Sequence, residues 1–155
     1  MSNICCVLQL VRELVSYVKD QQAVGVAIHW LVYIAQKVFN VHLGYRFKWG
    51  VKGPYSRGLA RDLKAGNVRE RCICDENLRL PSIREFLEDL RSTGIRLDKA
   101  LEIAASYIML RYDVYPKPPD PLEELLKKKP YITLREAQVI ARVLNKYLVG
   151  LRERA

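Results

Sequence analysis

Apolar residues recur at spacings of three and four through most of this chain, the period of helices that bury one face. From Ile4 to Lys19 the repeat is carried by Val7, Leu10, Val11, Leu14, Val15 and Val18. After a link at Asp20 to Gly25, a second helix is expected over Val26 to Asn40, packing through Ala27, Trp30, Leu31, Ile34, Ala35 and Val38. Its other face carries Tyr33, Gln36, Lys37 and Asn40, open to solvent or to a partner, and His29 has no carboxylate or thiol at ligand spacing. Pro81-Ser82 opens a further helix, with Ser82 and Glu85 spaced as a capping box ahead of Ile83, Phe86, Leu87 and Leu90. Leu97 to Tyr112 reads as the buried scaffold, through Leu101, Ala104, Ala105, Ile108 and Met109. The prolines between Val114 and Pro121 demand an extended connection. A short helix over Leu122 to Lys129 then carries Lys127, Lys128 and Lys129 at its C-terminal end, where the helix dipole favours cations. A second capping box, Thr133 with Glu136, starts the last helix, whose apolar side is Ala137, Ile140, Ala141, Leu144, Tyr147, Leu148 and Leu151.

The period changes to two at Leu43 to Trp49. Tyr45, Phe47 and Trp49 alternate with Arg46 and Lys48, the pattern of a strand with one buried and one wet face. Gly50 to Pro54 breaks this strand, and Pro54, with φ preset and no amide hydrogen, suits the threshold of a helix starting at Tyr55 or Ser56. On that helix Leu59 and Leu63 share one face, while Arg57, Arg61 and Lys64 fall at i, i+4 and i+7 on another. Gly66-Asn67 ends it. Val68 to Cys74 then alternates, with Arg69, Arg71 and Ile73 on one side, and Asp75 to Asn77 turns into Leu78 to Leu80. A cationic helix followed by a hairpin bearing arginines has the order of a winged helix-turn-helix; an irregular loop fits the same residues.

The run LVYIAQ (Leu31 to Gln36), then GYRFKWG with Tyr45 and Phe47, then GPYS (Gly53 to Ser56) followed by Leu59 and Asp62 resembles the YwgA-like family of small prokaryotic proteins. More distantly it resembles the Panacea domain of SocA-like antitoxins. The resemblance continues in SYIMLRY (Ser106 to Tyr112) and KKKPYIT (Lys127 to Thr133). It implies a helical domain with a winged-helix-like or antitoxin-like role, and it brings no catalytic motif to transfer.

At 155 residues, half of them apolar, the chain has the length of one domain. We expect a single-domain helical bundle, mainly α with a small β element and winged-helix-like character. Residues 1–112 would form the helical core with its strand and hairpin, 113–121 the proline-rich connection, and 122–155 the C-terminal helices. No apolar run approaches a membrane span, and Arg12 and Glu13 interrupt any signal-peptide core, so a cytoplasmic protein is expected.

The net charge of +9 is uneven. Residues 41–80 carry nine basic and four acidic side chains and residues 121–155 eight and four, while 1–40 stand at +1 and 81–120 at −1. Double-stranded DNA or another nucleic acid, or an acidic protein, complements such a distribution; a solvated surface of a heat-adapted protein is the plainer alternative. Cys5-Cys6 and Cys72-x-Cys74 lack the spacing of zinc ligands. They read as buried thiols or, in a thermophile, as a cross-link from the first helix to the Cys72 strand.

Catalytic signatures are missing: two histidines, no nucleophile elbow and no phosphate-cradling glycine loop argue against an enzyme and imply no cofactor. Ser56 suits a helix N-cap better than a nucleophile. The expected function is nucleic-acid binding by a regulator, with Arg57, Arg61, Lys64 and Lys52 on the basic helix and its approach and Arg69 and Arg71 on the hairpin. The alternative is an antitoxin- or adaptor-like module in which Tyr45, Trp49 and Tyr55 anchor an acidic protein. The long last helix could support a homodimer or cover the core of its own chain.

Overall fold

Why the molecule is arranged around one helix follows from the residues of Leu97–Tyr112. Leucine, isoleucine and alanine occupy nearly its whole circumference, and ten of its residues are buried. A helix apolar all round must be enclosed by others. In the computed structural model, which describes residues 3–65 and 73–154, the elements are α1 (Ile4–Val15), α2 (Gln21–Lys37), β1 (Lys48–Gly50), β2 (Gly53–Tyr55), α3 (Arg57–Ala65), α4 (Leu80–Arg91), α5 (Leu97–Tyr112), α6 (Pro121–Lys128) and α7 (Leu134–Arg154). The central α5 packs against α2, α4, α6, α7 and β2. The fold is therefore mainly helical with a small antiparallel sheet, as the periodicity indicates.

One continuous apolar cluster runs through these elements. Each fully buried leucine, isoleucine or phenylalanine in it contributes about 1.5–3 kcal/mol relative to exposure. Phe39, Phe86 and Tyr147 meet edge to face at centroid distances of 5.1–5.8 Å, joining the end of α2 to α4 and α7. The apolar stripe of α7, with Ala137, Ile140, Leu144 and Leu148 buried, is spent on the chain's own core. The Thr133–Glu136 capping box forms with both reciprocal bonds, at 3.0 and 3.1 Å.

Several boundaries differ from the sequence expectation. α1 ends at Val15, not Lys19. α2 begins at Gln21, five residues early, because the Asp20 carboxylate accepts the Gln22 amide at 2.9 Å and caps it, which places Gly25 inside the helix. The capping box at Ser82 and Glu85 does not form: α4 starts at Leu80 behind Arg79 in the left-handed region, and Glu85 takes Lys146 instead. Leu78 lies in a loop rather than a strand. The predicted hairpin arginines Arg69 and Arg71 lie outside the described residues, as does Cys72.

The sheet also sits elsewhere than expected. Leu43 to Phe47 forms no ladder, because Gln36 binds both the N–H and the C=O of Tyr45 at 2.9 Å and occupies those groups. The ladder runs Lys48↔Tyr55, Trp49↔Pro54 and Gly50↔Gly53, closed by the two-residue turn Val51-Lys52. Pro54 is therefore a strand residue, not a helix threshold. With the turn flanked by the Gly50–Gly53 pair, Pro54 falls at the position whose N–H points out of the ladder, so its missing donor costs no bond.

Oxidised cysteine joins α1 to the segment ahead of α4 through Cys6–Cys74, 68 residues apart, and Cys5 is disulfide-bonded as well. This favours the cross-linked reading of the cysteines over free thiols.

Candidate functional site

The GPYS segment gains its position from three contacts. Trp30 on α2 donates its indole N–H to the Lys52 carbonyl at 3.1 Å, pinning the hairpin tip. Gly53 has φ +106°, and a Cβ there would lie 2.6 Å from Ser106 Oγ on α5, so only glycine allows β2 to lie this close to the core. Ser56 then caps α3: its Oγ accepts the Leu59 amide at 3.1 Å, and its own N–H donates to His29 Nδ1 at 3.1 Å. Ser56 is buried and serves as a cap, as the sequence suggests.

His29 is a structural partner of this turn. Its ring stacks on Tyr55 at 4.5 Å, and burial pushes its pKa down to about 4, so the imidazole is neutral near pH 7. Because Nδ1 accepts from Ser56, the proton of the neutral ring resides on Nε2. Nε2 has no hydrogen-bond partner among the described residues.

Beyond the cap, α3 divides as its sequence spacing requires. Leu59 is fully buried, whereas Arg57, Arg61 and Lys64 are exposed. The Tyr45 ring lies beside Gly58, and its hydroxyl donates to Asp62 at 2.7 Å, so the extended segment runs along α3. Arg46 and Lys48, on the wet side of that segment, are exposed, and so is Lys52 at the hairpin tip. None of these six cations has an ion pair among the described residues, while nine cations of the other elements lie within 4 Å of a carboxylate.

The aromatic residues expected to anchor a partner separate into two kinds. Tyr45 and Trp49 are half-buried, Tyr45 committed to Asp62 and Trp49 packed under the ammonium groups of Lys128 and Lys129 at 6.0 and 5.6 Å. Tyr55 alone of the three is exposed, at 46%, although one face of its ring stacks on His29. Between the hairpin and α2 lies a cleft of about 350 Å³ lined by Gly25, Val26, His29, Trp30 and residues 50–55.

Two further groups near the hairpin escape sequence reasoning. Lys129, the third of a lysine run that looks like a solvated helix end, is 2% exposed and donates to Glu102 at 2.9 Å; Tyr131 donates to the same carboxylate. No local signal separates Lys129 from its two neighbours, since burial follows from α6 ending against α5. Tyr33, Gln36 and Lys37, which read as an open face of α2, are instead engaged: Tyr33 and Lys37 bind Asp113 at 2.5 and 2.8 Å, and Gln36 clamps Tyr45. Among the described residues no group of three histidine, cysteine or acidic side chains is placed to hold a metal ion, and no helix is long and apolar enough to cross a membrane. Scans against protein-family models, curated proteins and solved structures find no match for this chain.

Proposed function

We propose that this protein is a nucleic-acid-binding regulator, with double-stranded DNA as the favoured ligand. The observation that carries this reading is the set of six exposed cations, without ion pairs among the described residues, gathered on α3, the segment beside it and the hairpin tip. Arg57, Arg61 and Lys64 project from one face of a helix held by its cap, and Arg46, Lys48 and Lys52 flank it. Unpaired cations meet phosphates without first breaking an ion pair, and such contacts supply most of the affinity for a duplex. Arginines of α3 that reach base edges add discrimination of about 1–3 kcal/mol each. The test is binding of a labelled random duplex by wild type, by Arg57→Glu/Arg61→Glu, and by Arg135→Glu/Arg142→Glu, which makes the same charge change at exposed positions of α7. The reading requires the α3 pair to lose far more affinity than the α7 pair; equal losses reduce it to net charge alone.

A second reading, an antitoxin- or adaptor-like module for an acidic protein, draws on the exposed apolar tip. Val51 is 99% exposed and stands with Tyr55 at the edge of the cleft, beside the cations. A homodimer through α7 would have to use Leu134 and Val149, the large apolar side chains that helix leaves exposed.

A further inference from the structure

The cleft between α2 and the hairpin shares Lys52 and Tyr55 with the two readings above but also holds Gly25, His29 and Trp30, which neither uses. Its volume of about 350 Å³ is that of a site for a small molecule of one or two rings. Its walls are apolar and flat: Val26, Trp30, Pro54 and Tyr55. The ionisable side chains lining it besides Tyr55 are His29 and Lys52, and no carboxylate does. Both are donors. His29 has Nδ1 committed to Ser56, which leaves Nε2–H to donate, and Lys52 is exposed at the mouth without an ion pair among the described residues. Lys52 also borders a wider depression holding Asp20, Asp98 and Glu102, yet pairs with none of them.

Gly25 is the second, independent observation. It lies well inside α2, where glycine costs about 0.5–1 kcal/mol relative to alanine. Nothing in the fold demands it: its φ is ordinary, and an added Cβ meets no atom within 4 Å. Gly25 lines the cleft, so its bare backbone forms part of the cleft's wall.

We infer that this cleft binds a small planar aromatic carboxylate, its ring between Val26, Trp30 and Tyr55, its carboxylate paired with Lys52 and accepting from His29 Nε2–H. The neutral imidazole suits this role near pH 7, since it donates without adding a buried charge. A ligand there also touches the residue that holds the cap of α3.

The test uses the whole chain without nucleic acid, so it stands whether or not the chain binds DNA. 2-Naphthoate and its uncharged analogue 2-naphthalenemethanol are titrated by calorimetry into wild type, Gly25→Leu and Lys52→Ala, with thermal melts confirming that each variant is folded. Expected is saturable one-to-one binding of 2-naphthoate with Kd below about 1 mM. Gly25→Leu, which fills the cleft with a better helix former, should abolish binding while melting at or above the wild-type temperature. Lys52→Ala should weaken 2-naphthoate about threefold or more and leave the alcohol unchanged. Absence of saturable binding to wild type overturns the proposal, as does a folded Gly25→Leu that binds normally. Equal binding of acid and alcohol overturns the assignment of an anionic ligand.

Discussion

His29 and Lys129 show how far burial sets the behaviour of single side chains in this protein. The His29 pKa falls from the ordinary 6.5 to about 4 on folding, so between those values the unfolded chain takes up a proton that the folded one refuses. Stability therefore rises with pH across this window: the contribution is fully present above about 6.5 and is lost as pH falls towards 4. A shift of this size corresponds to roughly 3 kcal/mol. Urea melts between pH 7 and 4 should show a decline that His29→Phe flattens; a parallel decline in the variant would assign it to other groups. The carboxylates of Asp89 and Glu136, held below their usual range by the Tyr147 hydroxyl and by the Thr133 amide respectively, add their own losses at lower pH. For Lys129 the loss is structural. Lys129→Met leaves the Glu102 carboxylate with the Tyr131 hydroxyl but no cation and should cost about 3 kcal/mol, and adding Glu102→Gln should return part of it. An unchanged urea midpoint in Lys129→Met would contradict a supporting role for the pair.

Among the elements, the hairpin and α3 form a unit whose parts depend on one another. Ser56 caps α3 and is held in turn by His29, so Ser56→Ala should cost about 1 kcal/mol and loosen α3 first, a loss of protection that amide exchange in residues 57–60 would register. Gly53→Ala should cost more, about 1–3 kcal/mol, since both its positive φ and Ser106 oppose a side chain. A Gly53→Ala variant as stable as wild type would mean that β2 can withdraw from α5. Periodicity made α5, α7 and the second capping box legible from sequence because each rests on contacts within a few residues. The hairpin was not legible in the same way. Its lead-in is held by Gln36 and its tip by Trp30, and its close approach to α5 at Ser106 depends on Gly53, while both holding residues are distant in sequence. Pro54 illustrates the ambiguity, since the same residue suits a helix start and a strand position that needs no donor. The beginning of α2 was hidden by Gly25, which reads as a breaker when the Asp20 cap is overlooked.

At the scale of the whole molecule, six cations without ion pairs among the described residues gather on one face. Nine lysines and arginines of the other elements lie within 4 Å of a carboxylate, several of them between elements, such as Arg84 with Glu13 and Lys146 with Glu85 and Asp89, whereas Arg111, Arg135 and Arg142 have no ion pair among the described residues. On the face built by α3 and its lead-in, the cations of residues 41–65 have no such partners among the described residues. The cationic spacing of α3 was readable in the sequence. The ion pairs of the nine cations tied to carboxylates were not, because several depend on which helices become neighbours. Exposed cations of this kind exert their effect through the field they present to a polyanion, and that field is screened by salt.

The most direct measurement is therefore fluorescence anisotropy of a labelled random duplex titrated with wild type and with Arg57→Glu/Arg61→Glu at a series of salt concentrations. If the α3 face binds phosphates, log K falls linearly with log salt, and the variant's slope is shallower by about 2, close to 0.9 for each phosphate that the two arginines no longer neutralise. A wild type that does not bind at about 50 mM salt, where binding to phosphates is at its strongest, would contradict nucleic-acid binding, and so would a variant with an unchanged slope.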